Sequence, residues 1–118
     1  VSRVGITRVL RLAADVLTVL TAIAIAYLTL SQSVGGKPFF ISDKAAHAIA
    51  FFALVFPVSL AHRWGFLWIV PLAIGFGWAI EVIQPYFGRG REIEDFYADL
   101  IGIASGATAG TLIRMLRR

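Results

Sequence analysis

The chain has 118 residues, 58% of them hydrophobic and only 15% charged, with a net charge of +4. Soluble domains run roughly half apolar and a quarter charged, and a domain this small has too little interior to hide such a surplus. A water-soluble fold is therefore excluded, and the surplus must face lipid. Cysteine is absent, which removes disulfides, thiolate metal sites and thiol nucleophiles. The positive charge reads first as orientation and attraction to lipid headgroups. No basic stripe interleaves with exposed aromatics, so nucleic acid is not an expected partner.

A membrane-spanning helix needs roughly 20 apolar residues. Residues 12–30 form the first such run, which ends in the Ser- and Gly-rich stretch 31–36 and Pro38. It follows Arg3, Arg8 and Arg11 as a secretory leader would, but it is longer than the usual apolar core of about 7 to 15 residues. It is therefore read as a span. The second run covers 45–61, the third 66–83 with Pro85 closing it, and the fourth 96–115. Pro57 and Pro71 fall inside spans, where lipid-embedded helices tolerate them. The expectation is an all-α integral membrane bundle of four transmembrane helices, one domain over residues 1–118. Trp64, Phe66 and Trp68 at one interface, with Trp78, Tyr86 and Phe87 at the other, read as aromatic belts.

An even number of spans places both termini on one side. That side holds seven basic residues, Arg3, Arg8, Arg11, Arg63, Arg114, Arg117 and Arg118; the other holds four, Lys37, Lys44, Arg89 and Arg91. The basic-rich side is expected to be cytoplasmic. Asp15 lies on that side, four residues from Arg11, and reads as a simple interfacial ion pair. The other six acids, Asp43, Glu81, Glu92, Glu94, Asp95 and Asp99, fall toward the outer ends.

Ionisable groups within spans are costly, and their default reading is functional. Asp43 and His47 begin the second span, Glu81 and Gln84 end the third, and Asp95 and Asp99 begin the fourth. Because helices alternate in direction, a start, an end and a start meet at one leaflet. Spacings of three or four residues put each pair on one helical face. Six polar side chains from three helices are thus expected to converge. Below Asp95 and Asp99 the stripe continues as Gly102, Gly106 and Gly110, a small-residue seam that lets another helix approach closely. Gly75 and Gly77 are the expected opposing surface.

The chemistry suits an anionic or metal-bound ligand. Two helix N-termini point at the pocket, and Arg89 and Arg91 match phosphate or carboxylate oxygens. Carboxylates with an imidazole match a divalent metal such as magnesium, manganese or zinc. The expected roles are Glu81 and His47 as acid and base, Arg89, Arg91, Lys44 and Gln84 on substrate, and Asp43, Asp95 and Asp99 on metal or headgroup. Plainer readings stand beside these. Asp43, Glu94 and Asp95 suit helix starts, Arg89 and Arg91 suit the headgroup layer, and the whole cluster could be a bonded latch. A transporter is disfavoured, since the sequence shows no polar path through the middle.

In order along the chain these residues resemble the VanZ-like family of small bacterial membrane proteins. That family carries an Asp-Lys pair followed by His and Phe, then Glu-x-x-Gln, then Gly-Arg, then Asp with Asn or Asp four residues later and a following Gly. Here these stand as Asp43, Lys44, His47 and Phe51; Glu81 and Gln84; Gly88 and Arg89; and Asp95, Asp99 and Gly102. The resemblance covers about 42–110. Asp99 stands where asparagine is often found, and Arg91 adds a second arginine. The resemblance implies a protein of the bacterial cytoplasmic (inner) membrane and cell envelope, the naming member being associated with resistance to the glycopeptide antibiotic teicoplanin. It brings no settled reaction. The functional expectation is recognition or modification of an anionic lipid-linked envelope group. The alternative is a non-catalytic resistance factor or scaffold for a partner protein or a second copy.

Overall fold

The computed structural model describes residues 3–30, 43–87 and 93–117, without the side chains of Arg3, Val4, Asp43 and Phe87. Four helices account for nearly all of this: α1 (Arg3–Leu30), α2 (Asp43–Ala61), α3 (Gly65–Ile83) and α4 (Ile93–Leu116). A 3-10 turn over Gln84–Phe87 follows α3. Each helix is long and apolar enough to cross a membrane, so the chain is a multi-pass membrane bundle. Its outer surface agrees. Leu12, Val16, Leu20, Ile23, Leu67, Leu72 and Ile101 are among many large apolar side chains left exposed, more than a surface in contact with water sustains.

The helix bounds refine the apolar runs. The first helix begins at Arg3, nine residues before the run it contains, because a helix can continue into the headgroup layer on Arg-rich turns that hydropathy does not register. The third helix ends at Ile83, where the apolar run stops, and Pro85 lies in the 3-10 turn that follows. Pro57 and Pro71 lie within α2 and α3 as expected.

The second helix is central and packs on the other three, most extensively on α4. The reason is the glycine stripe. A Cβ on Gly102 would collide with the backbone carbonyl of Ala48, one on Gly106 would lie 2.8 Å from the Phe52 carbonyl oxygen, and one on Gly110 2.9 Å from that of Phe56. The stripe therefore faces α2, not the glycines of α3. Gly75 of α3 meets nothing and faces outward. Phe51, Leu54, Val55 and Val58 of α2, with Ile69 and Ala73 of α3 and Ile103 of α4, form the apolar core.

The first helix is held differently. Few of its side chains are buried, among them Ala14, Thr18 and Ile25. Thr18 donates its hydroxyl to the Leu54 carbonyl at 3.0 Å. Among the described residues, no Cα of α1 comes within 8 Å of one in α4. Thr21 and Thr29 donate back to carbonyls of their own helix, the usual way a hydroxyl is satisfied in an apolar setting. The bundle thus has two unlike ends. The start of α2, the end of α3 and the start of α4 meet at one; the start of α1 and the ends of α2 and α4 meet at the other.

Candidate functional site

At the first of these ends the expected convergence is present. Glu81, Asp99, Gln84 and Asp95 are 1%, 1%, 2% and 4% exposed, which inside an apolar bundle demands partners. The ammonium of Lys44 donates to Asp95 Oδ1 at 2.6 Å. His47 Nδ1 lies 2.7 Å from Asp99 Oδ1. With the carboxylate ionised it can only accept, so Nδ1 carries the proton. The other ring nitrogen, Nε2, is turned toward Asp95 Oδ2 at 3.6 Å. Lys44, Asp95, His47 and Asp99 thus form one chain in which nitrogen groups and carboxylates alternate, with only the Lys44 end substantially exposed.

The local sequence explains this placement. Lys44 and His47 are three apart on α2, and Asp95 and Asp99 are four apart on α4, so each helix presents both groups on one face. The Gly102 contact with Ala48 draws the two helices together one turn below. Without that approach the side chains would not span the gap at hydrogen-bond length. Gln84, at the start of the 3-10 turn, donates from Nε2 to the Thr29 carbonyl of α1 at 3.0 Å. Its Oε1 is buried and has no hydrogen-bond partner among the described residues. Trp78 of α3 meets Phe96 of α4 edge-on at 5.3 Å beside the cluster.

Gly77 and Phe51 also belong to the site. A Cβ on Gly77 would stand 3.0 Å from Asp99 Oδ2 and 3.4 Å from the Phe51 ring, so the missing side chain is what admits the carboxylate between α3 and α4. The signal was available: Gly77 lies four residues before Glu81, on the same helical face. Thr29 left no such mark, because it contributes a backbone carbonyl.

Arg89 and Arg91 lie outside the described residues, as does the side chain of Asp43. Among the described residues no group of three or more His, Asp or Glu side chains is arranged to hold a metal ion. The donors Asp95 and Asp99 are engaged by Lys44 and His47 instead.

The opposite end holds a pair that the sequence reading missed. Asp15 pairs with His62 Nε2 at 2.7 Å, not with Arg11. His62 sits in the turn after α2, and its ring meets Trp68 edge-on. Between the two ends lies the apolar core of Leu54, Val55, Val58 and Ile103.

Comparison with known proteins adds no relative: no protein-family model, no curated protein and no solved structure matches the chain.

Proposed function

We propose that this is a VanZ-like protein of the bacterial cytoplasmic membrane, with both termini in the cytoplasm, whose polar end binds and acts on an anionic lipid-linked envelope group at the outer leaflet. The observation that carries the reading is the buried chain from Lys44 through Asp95 and His47 to Asp99. Four ionisable groups inside a lipid-facing bundle are too costly to keep without a use. Asp99 holds the His47 ring through Nδ1, the orientation that an imidazole acting as acid or base requires. Lys44, at the exposed end, supplies a positive charge for a phosphate or carboxylate, aided by the N-termini of α2 and α4. The Gln84 carbonyl offers a buried acceptor to a ligand hydroxyl or amide. Arg89 and Arg91, in the connection to α4, supply further anion contacts, and Glu81 serves as acid. A divalent metal at this end would draw on Asp43 with Asp95 or Asp99, at the expense of the Lys44 and His47 pairs.

One observation favours a second reading, a non-catalytic resistance factor or scaffold. Lys44, His47, Asp95 and Asp99 satisfy one another, as a structural latch would. Substituting Glu81→Gln separates the two. It keeps size and hydrogen bonding but removes charge and titration. The measurement is paired: the melting temperature in detergent, and mass spectrometry of the envelope lipid that co-purifies from cells. A site predicts a stable variant that loses the bound species. A stable variant that retains it and keeps full teicoplanin tolerance in cells overturns the catalytic reading.

Orientation is tested separately. Cysteines placed at Ser33 and Gly90 should react with an impermeant reagent outside intact cells, and one at Arg63 should not. Labelling at Arg63 alone reverses the orientation.

A further inference from the structure

The end of the bundle that carries the chain termini has a feature the proposed function does not use. Both α1 and α4 lean on α2 without approaching each other. Their separation leaves a cleft of about 400 Å³ at this end. Leu10 and Ala14 of α1 form one wall, Pro57 and Leu60 of α2 the floor, and Arg114 and Arg117 of α4 the other wall and mouth. We propose that this groove is a binding site for one anionic phospholipid of that leaflet, with its phosphate at the two arginines and an acyl chain laid over Leu10, Ala14, Pro57 and Leu60.

Three observations converge on that occupant. First, the groove is apolar along its length and cationic at its mouth, the division of a phospholipid. A soluble anion would leave the apolar floor unused, and a zwitterionic lipid would bring its own cation beside the two arginines. Second, Arg114 is already fixed in place. Its Nη1 donates to the carbonyls of Leu60 at 3.2 Å and Ala61 at 2.9 Å, closing the C-terminus of α2 and holding the cation at the groove wall. Arg117, one turn on, is exposed and supplies a planar fork suited to phosphate oxygens. Third, the charge of this end is one-sided. Among the described side chains it carries Arg8, Arg11, Arg63, Arg114 and Arg117 against a single acid, Asp15, which His62 engages. Ala61 closes the second span, and Arg114 and Arg117 fall at the end of the fourth, so the arginines stand at headgroup depth and the apolar floor beneath them at acyl depth.

The test uses delipidated full-length protein in mild detergent with an equimolar mixture of phosphatidylglycerol and phosphatidylcholine of identical acyl chains, read by native mass spectrometry. One phosphatidylglycerol should be retained in preference to phosphatidylcholine. Arg117→Gln lies at an exposed helix end and should fold normally; it should lower that retention about fivefold, the effect of removing one lipid-facing charge. Arg63→Gln removes an equal charge from the same end but outside the groove, where Arg63 lies over the Trp64 ring at 5.6 Å; retention should hold. Ala14→Phe should block the groove and abolish the preference. Equal retention of the two lipids, or equal losses in the Arg63 and Arg117 variants, overturns the proposal. So does a dimer that Ala14→Phe dissociates, which would place a second copy in the groove.

Discussion

The contact of α2 with α4 and the contact of α2 with α1 solve the same problem by opposite means. In lipid the hydrophobic effect gives helices little reason to associate, so close packing and polar contacts must hold them. The α2–α4 contact uses both. Three glycines bring the backbones together, and the Lys44–Asp95 ion pair and the His47–Asp99 hydrogen bond close the upper end. The first helix has no such seam and is attached through separate polar contacts: the Thr18 hydroxyl on Leu54, the Asp15–His62 pair, and Gln84 on the Thr29 carbonyl. The site is built where positions are fixed most tightly, and the open groove appears where they are not.

The largest effect should follow from removing one partner of the buried relay. His47→Leu leaves Asp99, 1% exposed, without its imidazole, and breaking a buried pair in this way costs roughly 3 to 5 kcal/mol. Adding Asp99→Asn removes the stranded charge and should recover part of the loss. Thermal denaturation of both variants in detergent checks this. A single variant as stable as the parent would mean that the relay contributes nothing to the seam.

Next comes the seam itself. Gly106→Leu must place a side chain where a Cβ alone would stand 2.7 Å from Val55 Cγ2. Overpacking of this kind costs about 1 to 3 kcal/mol. Ala104→Leu, on the exposed face of the same helix, should be nearly silent in the same melt. Equal losses at both positions would show that the glycine stripe is not the packing face.

These contrasts also mark what the sequence could and could not disclose. Apolar run length locates all four spans, because hydrocarbon thickness sets a minimum that few other constraints imitate. The polar cluster is legible for a similar reason: i,i+3 and i,i+4 spacing fixes which side chains share a face, and alternating helix direction fixes which ends meet. What escapes is the identity of the partner across an interface. The stripe of Gly102, Gly106 and Gly110 announces a close approach but does not say to what. Its receptor on α2 is the backbone of Ala48, Phe52 and Phe56, and a backbone surface has no composition to read. Gly75 and Gly77 therefore looked like the natural match, yet only Gly77 faces inward, and toward a carboxylate. Asp15 escaped in the same way. Arg11 is one turn away in sequence, but His62 lies 47 residues on, and only the docking of α1 on α2 brings it near.

The smallest effect sharpens the comparison most. Asp15→Asn removes the carboxylate that ties α1 to His62 in the turn after α2. Asp15 is 44% exposed and His62 22%, so solvent and salt reach the pair, and such pairs contribute about 0 to 1 kcal/mol. Global melting should hardly move. What should change is the local opening of α1, since one of its few polar attachments has gone while the α2–α4 seam is intact. Hydrogen exchange reads such partial opening directly, because segments held by few contacts open at lower free energy than the core. Protection should fall in α1 around Leu12 to Val19 and stay constant in α2 and α4. With His62 protonated, high salt should produce the same pattern in the parent protein, because it screens exposed pairs while leaving buried ones largely intact. Loss of protection spread evenly over α1, α2 and α4 would mean that the bundle opens as one unit, and that the separation into a rigid seam and a loosely held helix is wrong.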